Sequence, residues 1–225
     1  MTNRVVSTAL WTTGLDTLKA LGFSPRTVFD IGVAAGTDDL YDAFPTAEFF
    51  LVDPTRESRP HMERIARRLN ARVFNFALGD VEGEQEIEVR LDDIQGATFF
   101  KEFGSLGVTE RYRVPVKRFD SVFSEFARPA LCKIDVQGSE LNVLQGIGAR
   151  LDDLDAFIVE VSTIPTLQGG PDAFDIIAFF KRRRFVIFDL LGATRRPVDN
   201  ALAQIDLLFV KEDSGLRADR RWRAD

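Results

Sequence analysis

Three acids and a lysine sit at the ends of apolar, strand-like runs: Asp30 in "TVFDIGV", Asp53 in "AEFFLVD", and Lys133 with Asp135 in "ALCKIDV". Ionised groups inside apolar runs are costly to bury unless they are paired or put to chemical use. If "ALCKIDV" is a strand, alternation places Lys133 and Asp135 on one side and Cys132, Ile134 and Val136 on the other. Glu160 is the single acid of the next such run, "AFIVEVS". Adjacent strands ending in Asp135 and Glu160 would line one crevice, where a carboxylate can take a proton from a hydroxyl beside a steadying ammonium. The plainer structural reading pairs Lys133 with Glu140 or Glu160.

The loop after Asp30, "GVAAGTDDL", narrows the choice of ligand. A dinucleotide loop needs three glycines in G-x-G-x-x-G, and its middle position here is Ala34. A P-loop needs Gly-Lys-Ser/Thr where this chain has Gly36-Thr37-Asp38. Asp38 and Asp39 add negative charge where a phosphate would be drawn. The loop suits a ligand without phosphate, such as S-adenosylmethionine, with its ammonium, carboxylate and sulfonium. Asp30 would then meet the ammonium, directly or through water, while the backbone of residues 32–37 donates to the carboxylate. The alternative is that Gly32 and Gly36 serve only a turn that needs positive φ. Asp53, followed by Pro54, stands where an acid accepts from ribose hydroxyls, a feature that NAD binding shares. Ala77 and Leu78 of "FALGD" would flank the adenine.

These residues need a framework of alternating elements. Strand-like runs alternate with helical stretches at 37–44, 57–69, 139–151 and 172–183, which means a mainly parallel sheet with helices on both faces. The turn-rich "GATRRPVDNALA" leaves no room for a helix before the final strand, "QIDLLFVK", which should pair antiparallel. The expected fold is a Rossmann-like class I methyltransferase fold: a seven-stranded, mainly parallel sheet with an antiparallel last strand. "RVFNFAL" reads as one strand, and Pro115 suits an edge strand. Trp11, Leu15 and Leu18 mark a helix within residues 1–25, packed on the core. Residues 26–212 form the catalytic domain and 213–225 a basic tail, read as a frayed terminus. An insertion at 91–113 has hinge glycines at 96, 104 and 107 and carries Phe99, Phe100 and Phe103. It is read as a lid over the substrate side, or as a segment packed permanently on the sheet edge.

With 225 residues and 45% hydrophobic content, the chain suits one sizeable core. Its 20 Phe could fill that core or extend into a homodimer face. A net charge of −6 disfavours nucleic acid, and the basic run Lys181 to Arg184 reads as a solvated last helical turn. The single cysteine, Cys132, excludes an internal disulfide or a cysteine-based zinc site and reads as a small core residue. No apolar window reaches the ~20 residues of a membrane span, and the N-terminus makes a poor signal peptide, so the expected location is the cytoplasm. The one histidine, His61, is read as a surface or capping residue.

The segments "VFDIGVAAGTDDL", "FFLVDP", "FALGD", "RVPVKRFDSVF", "LCKIDVQGSELNVLQG" and "AFIVEVS" resemble, in that order, the FkbM-type methyltransferases over residues 26–210. The resemblance implies a Rossmann-like methyltransferase that O-methylates a hydroxyl, often on a sugar, glycolipid or polyketide. The positions matching the family pattern are Asp30, Gly32, Gly36, Asp53, Lys133, Asp135, Gly138, Glu140 and Glu160. The chain departs from the usual K-I-D-V-E-G-x-E at Gln137. On this reading Asp135 is the base or its orienter, assisted by Lys133. Glu160 or Glu140 binds a neighbouring hydroxyl or helps to chelate a divalent cation. Gln137, Glu140, Phe99 and Phe100 face the acceptor, a small molecule or glycan. Asp135 and Glu160 are too loose a ligand set to decide for a metal. Two rivals are an NAD-dependent oxidoreductase, opposed by Ala34 and the antiparallel ending, and a non-catalytic adenosine-binding module, opposed by Asp30, Asp53 and Asp135 occurring together.

Overall fold

Strand runs that are apolar on both faces can be housed only in a sheet covered by helices on each side. The structure, a computed structural model, describes residues 6–104 and 107–223. Residues 105 and 106 of the insertion, and the outermost residues of both termini, lie outside that description. In chain order the elements begin β1 (Val6–Ala9), α1 (Trp11–Ala20), β2 (Thr27–Ile31), α2 (Asp38–Ala43), β3 (Glu48–Val52), α3 (Arg59–Ala66) and β4 (Ala71–Phe74). Next come β5 (Ala77–Leu78), β6 (Gly83–Arg90), β7 (Thr109–Lys117), α4 (Phe119–Val122), β8 (Ala130–Ile134) and α5 (Glu140–Ile147). The chain closes with β9 (Ala156–Ser162), α6 (Ala173–Arg182), β10 (Phe185–Arg195) and β11 (Leu202–Lys211).

The main sheet runs β1-β10-β11-β9-β8-β2-β3-β4. Strands β4, β3, β2, β8 and β9 are parallel, and β11 lies antiparallel between β9 and β10. This is the expected arrangement with one strand more, because β1 joins the free edge of β10. Its sequence, "VSTA", is too short and too polar to show a period. The first 25 residues thus supply a strand as well as the expected helix.

The run "RVFNFAL" does not stay in one sheet. Asn75 donates through Nδ2 to the carbonyls of Asp53 (2.8 Å) and Thr55 (3.1 Å), turning the chain between β4 and β5. Strand β5 then starts a second sheet, β5-β7-β6. Pro115 lies on the middle strand of that sheet, contrary to the edge position expected. The proline is tolerated because β5 pairs only with Val116 and Lys117, so β7 has a neighbour on one side only at Pro115.

The phenylalanines are distributed by face. Beneath one face Phe29 contacts Phe50 and Phe119, each at 4.8 Å between ring centroids, and Phe126 at 5.0 Å. Cys132 is buried in the same layer. On the other face α1, α2 and α3 bring Leu15, Leu18, Tyr41 and Met62 onto the sheet. The basic run ends α6 as expected, with Lys181 and Arg184 paired to Glu212 and Arg184 also to Asp213. Replacing Phe29, fully buried at the centre of its ring cluster, should lower stability by about 3–5 kcal/mol in Phe29→Ala, measured by urea denaturation.

Candidate active site

The carboxyl ends of β2, β3 and β8 open into one cleft because parallel strands all end on the same side of the sheet. Its floor is the 32–37 loop with Lys133 and Asp135; one wall is Asp53–Thr55 and another Phe76–Leu78. Residues of the insertion, Ile94 to Phe99, cover it. Gly32, Gly36, Asp53, Pro54, Ala77, Leu78, Lys133, Asp135, Gln137 and Phe99, all expected at the site, therefore share this cleft. Gly32 is required where β2 and β8 converge: its φ is +82°, and a Cβ there would lie 1.7 Å from the Asp135 carbonyl oxygen.

Asp30 does not face the cleft, contrary to the expected contact with a ligand ammonium. Its carboxylate is fully buried, with Tyr41 Oη donating to Oδ2 at 2.5 Å and Lys133 Nζ lying 3.2 Å from Oδ1. The same ammonium donates to the Gly32 carbonyl at 2.8 Å and lies 3.5 Å from Asp135 Oδ2. Lys133 thus pairs with Asp30 and Asp135, and not with Glu140 or Glu160 as the plainer reading had it. Burial opposes its charge, but the two carboxylates outweigh burial and push the lysine pKa up. Burial and then Asp30 drive the Tyr41 hydroxyl well above its ordinary pKa, so it remains a donor.

Asp53 is nearly buried and organised by its surroundings. Oδ1 accepts from Thr55 N (2.9 Å), Thr55 Oγ1 (2.7 Å) and Ser58 Oγ. Among the described residues Oδ2 accepts from Ala34 N alone, at 2.9 Å, which leaves it acceptor capacity for a ligand. Ser58 is committed to this network, and α3 begins after it at Arg59, later than the sequence suggested. His61 lies within α3, away from the cleft lining.

Glu140 also departs from expectation. Its carboxylate is turned into the preceding loop, accepting from Val136 N (3.2 Å) and Gly138 N (3.0 and 3.1 Å), so it is not presented to an acceptor. Burial raises its pKa to about 7 against the pull of those amides. Glu160 does not line the cleft directly; Gln137 Nε2 joins it to Asp135, at 3.0 Å and 2.9 Å. Burial, and after it the charge of Asp135, places the Glu160 pKa well above the usual carboxylate range. Phe100 packs by Gly138 and lines two depressions beside the cleft, while Phe103 is exposed. Among the described residues no group of three or more His, Cys, Asp or Glu is placed to hold a metal ion.

Sequence reasoning passed over Tyr41, Thr98, Gln204 and Asp206. Asp206 extends the polar row to β11, paired in register with Glu160, and accepts from Trp11 Nε1 at 3.1 Å. The criterion that selected Glu160, a single acid in an apolar strand, selects Asp206 equally in "QIDLLFVK". Nothing in the local pattern marks Tyr41.

Fold and site together define a class I methyltransferase: six co-directional strands with an antiparallel seventh inserted, and a cleft that offers carboxylates and apolar walls to a sulfonium nucleoside. The chain belongs to the FkbM methyltransferase family, whose methyltransferase FkbM domain matches residues 30–187, and is an S-adenosylmethionine-dependent methyltransferase. Among solved structures it is similar to the Burkholderia thailandensis 1,6-didemethyltoxoflavin-N1-methyltransferase bound to 1,6-didemethyltoxoflavin and S-adenosylhomocysteine (14% identity, 91% of this chain and 79% of that one, TM-score 0.46). It is also similar to the magnesium protoporphyrin IX methyltransferase of Synechocystis PCC 6803 with bound S-adenosylmethionine (12% identity, 89% and 79% covered, TM-score 0.47). No curated protein matches the sequence. Among the described residues no helix is long and apolar enough to cross a membrane.

The polar row has a consequence for stability. Burial and then the charge of Asp135 push the Asp206 carboxyl up to about 6 from an ordinary 3.8, against the Trp11 hydrogen bond and Lys133. Between these values the native state holds a proton that the unfolded chain has released, so stability is full below the lower value and is lost as pH rises to the upper. Asp206→Asn should remove a decline on the order of 1–3 kcal/mol between about pH 4 and about pH 6, read by urea denaturation as a flatter stability profile.

Proposed function

We propose that the protein transfers a methyl group to a hydroxyl oxygen of a small molecule or glycan, with Asp135 taking the hydroxyl proton. One observation carries this reading: of the two carboxylates flanking Lys133, Asp30 is sealed at 0% exposure whereas the Asp135 side chain is 32% exposed and lies in the cleft. Bound S-adenosylmethionine supplies an electrophilic methyl group on a sulfonium. The 32–37 loop backbone would receive its amino-acid end, Asp53 Oδ2 its ribose, and Phe76–Leu78 its adenine. The donor set fits: the cleft is lined by acids and apolar groups, with Lys133 neutralised from beneath by Asp30.

Asp135 is held from two sides, by Lys133 on Oδ2 and the Gln137 amide on Oδ1, so its remaining lone pairs keep a fixed direction. A fixed acceptor of this kind can draw the proton from a hydroxyl as the oxygen becomes a nucleophile. Phe99, over the cleft, excludes water that would compete as a nucleophile. The insertion is read as the acceptor-side cover, tied down by Thr98 Oγ1 to the Gln137 carbonyl at 2.7 Å and by Phe103 N to the Thr166 carbonyl at 2.9 Å. A buried free thiol, Cys132, fits the reducing cytoplasm.

Incubation with labelled S-adenosylmethionine and a panel of glycans and polyhydroxylated small molecules, with mass spectrometry of the product, should locate the methyl group on oxygen. Asp135→Asn keeps the shape but not the basicity. Turnover should fall roughly a hundredfold or more while S-adenosylhomocysteine still binds; retained turnover would move the base elsewhere. For Asp53→Asn, calorimetric titration should give S-adenosylhomocysteine affinity weakened about tenfold, and unchanged affinity would remove its ribose role.

A further inference from the structure

The side chain of Gln137 does two jobs with one nitrogen. Its NH2 group has two hydrogens, and its neighbours at hydrogen-bond distance are the acceptors Asp135 Oδ1 (2.9 Å) and Glu160 Oε2 (3.0 Å). Asp135 stands just beyond the end of β8 and Glu160 on the neighbouring β9, and among the described residues Lys133 pairs with Asp135 but not with Glu160. Glu160 Oε2 accepts a second neutral donor, Gln204 Nε2, at 2.7 Å.

The backbone that aims Gln137 is held against its own preference. Gln137 has φ +49°, in the left-handed region that a side-chain-bearing residue rarely adopts. Three contacts hold it there. Glu140 clamps the amides on both sides, of Val136 and Gly138. Thr98 Oγ1, from the insertion, donates to the Gln137 carbonyl. Gly138 follows with φ +99°, where a Cβ would come within 2.7 Å of Leu167 Cδ1. Such over-determination around a strained residue is expected where its side chain must point one way.

We propose that Gln137 is the positioning residue of this active site: its amide ties Asp135 to Glu160, fixes the direction of the Asp135 carboxylate, and connects that carboxylate to the insertion over the cleft. Its significance for catalysis rests on the reading of Asp135 as the base. The groups facing Glu160 are Lys133 from β8, Asp135 just beyond it, Asp206 from β11 and Glu140 from α5, and all but Lys133 disfavour its ionised form. Against that background a neutral double donor is the group that can hold both carboxylates without adding charge. A carboxylate in its place would add repulsion and remove both donors.

The test needs no acceptor. Carboxyl 13C resonances of Asp135 and Glu160 are followed through a pH titration of the full chain with and without S-adenosylhomocysteine. The variants are Gln137→Met, which keeps length and removes both donors, Gln137→Glu, which also adds charge, and Thr98→Val. In both Gln137 variants the Glu160 step should move to higher pH, by about a unit in Gln137→Met and further in Gln137→Glu, because a donor to the ionised form is lost. The Asp135 carboxyl should shift in both, and Thr98→Val should move the same resonances in the same direction by less. Affinity for S-adenosylhomocysteine should stay within about threefold, which separates lost positioning from lost folding. Unmoved Asp135 and Glu160 titrations in whichever Gln137 variant binds S-adenosylhomocysteine would overturn the proposal. Retained turnover in Asp135→Asn would instead overturn the base assignment and leave this result standing.

Discussion

Lys133 is the point at which the sheet and the site meet. Its ammonium lies between Asp30 on β2, the Gly32 carbonyl at the turn out of β2, and Asp135 just beyond β8. An ion pair this deep gains little over a well-packed apolar pair, but removing one partner strands a buried charge at a cost of about 3–5 kcal/mol. The arrangement therefore makes poor sense as a stabilising device and good sense as a specification. It fixes the 32–37 loop against the end of β8, and so fixes the distance between the cofactor side of the cleft and the carboxylate assigned to chemistry. Tyr41, donating to the other oxygen of Asp30, extends this network into the helix α2 layer.

Much of this was readable in the sequence, and the pattern of success is physical. Apolar runs interrupted by one or two charged residues located β2, β8 and β9, because water-free strand interiors tolerate such residues only with a reason. The antiparallel ending followed from a turn too short for a helix. The orientations of individual carboxylates were not readable. Asp30, Glu140 and Asp135 look alike in sequence, yet one is locked to a lysine and a tyrosine, one clamps a loop, and one faces the cleft. That difference depends on which strands become neighbours. Glycine geometry was similarly ambiguous: a turn-forming Gly32 and a ligand-approaching Gly32 have the same spacing, and here the close neighbour is the Asp135 carbonyl.

The other omissions share a cause. Strand β1 has no hydrophobic period because an edge strand of four residues needs none. The break between β4 and β5 is made by Asn75 reaching the carbonyls after β3, a contact between segments about twenty residues apart. The departure from the family's usual acid at Gln137 was visible in sequence, but its meaning lay in two strand ends that only the parallel register of β8 and β9 brings together. Local pattern identifies elements, whereas side-chain partnerships belong to the register.

The second sheet has a consequence for how the protein can change. The walls attributed to the ribose and the amino-acid end of the cofactor come from loops of the main sheet and the adenine wall includes β5 of the second sheet, whereas Ile94 to Phe99 belong to an excursion between β6 and β7, beside that second sheet's own small core of Ala77, Ile87, Val89, Val114 and Val116. Substitutions in that layer and in the main sheet share few packing partners, so their energetic effects should largely add. A lineage could then vary the cover over the cleft, and with it the molecules admitted, while the ion-paired floor stays under separate and stricter selection. Evolvability of this kind follows from dividing one pocket between two cores.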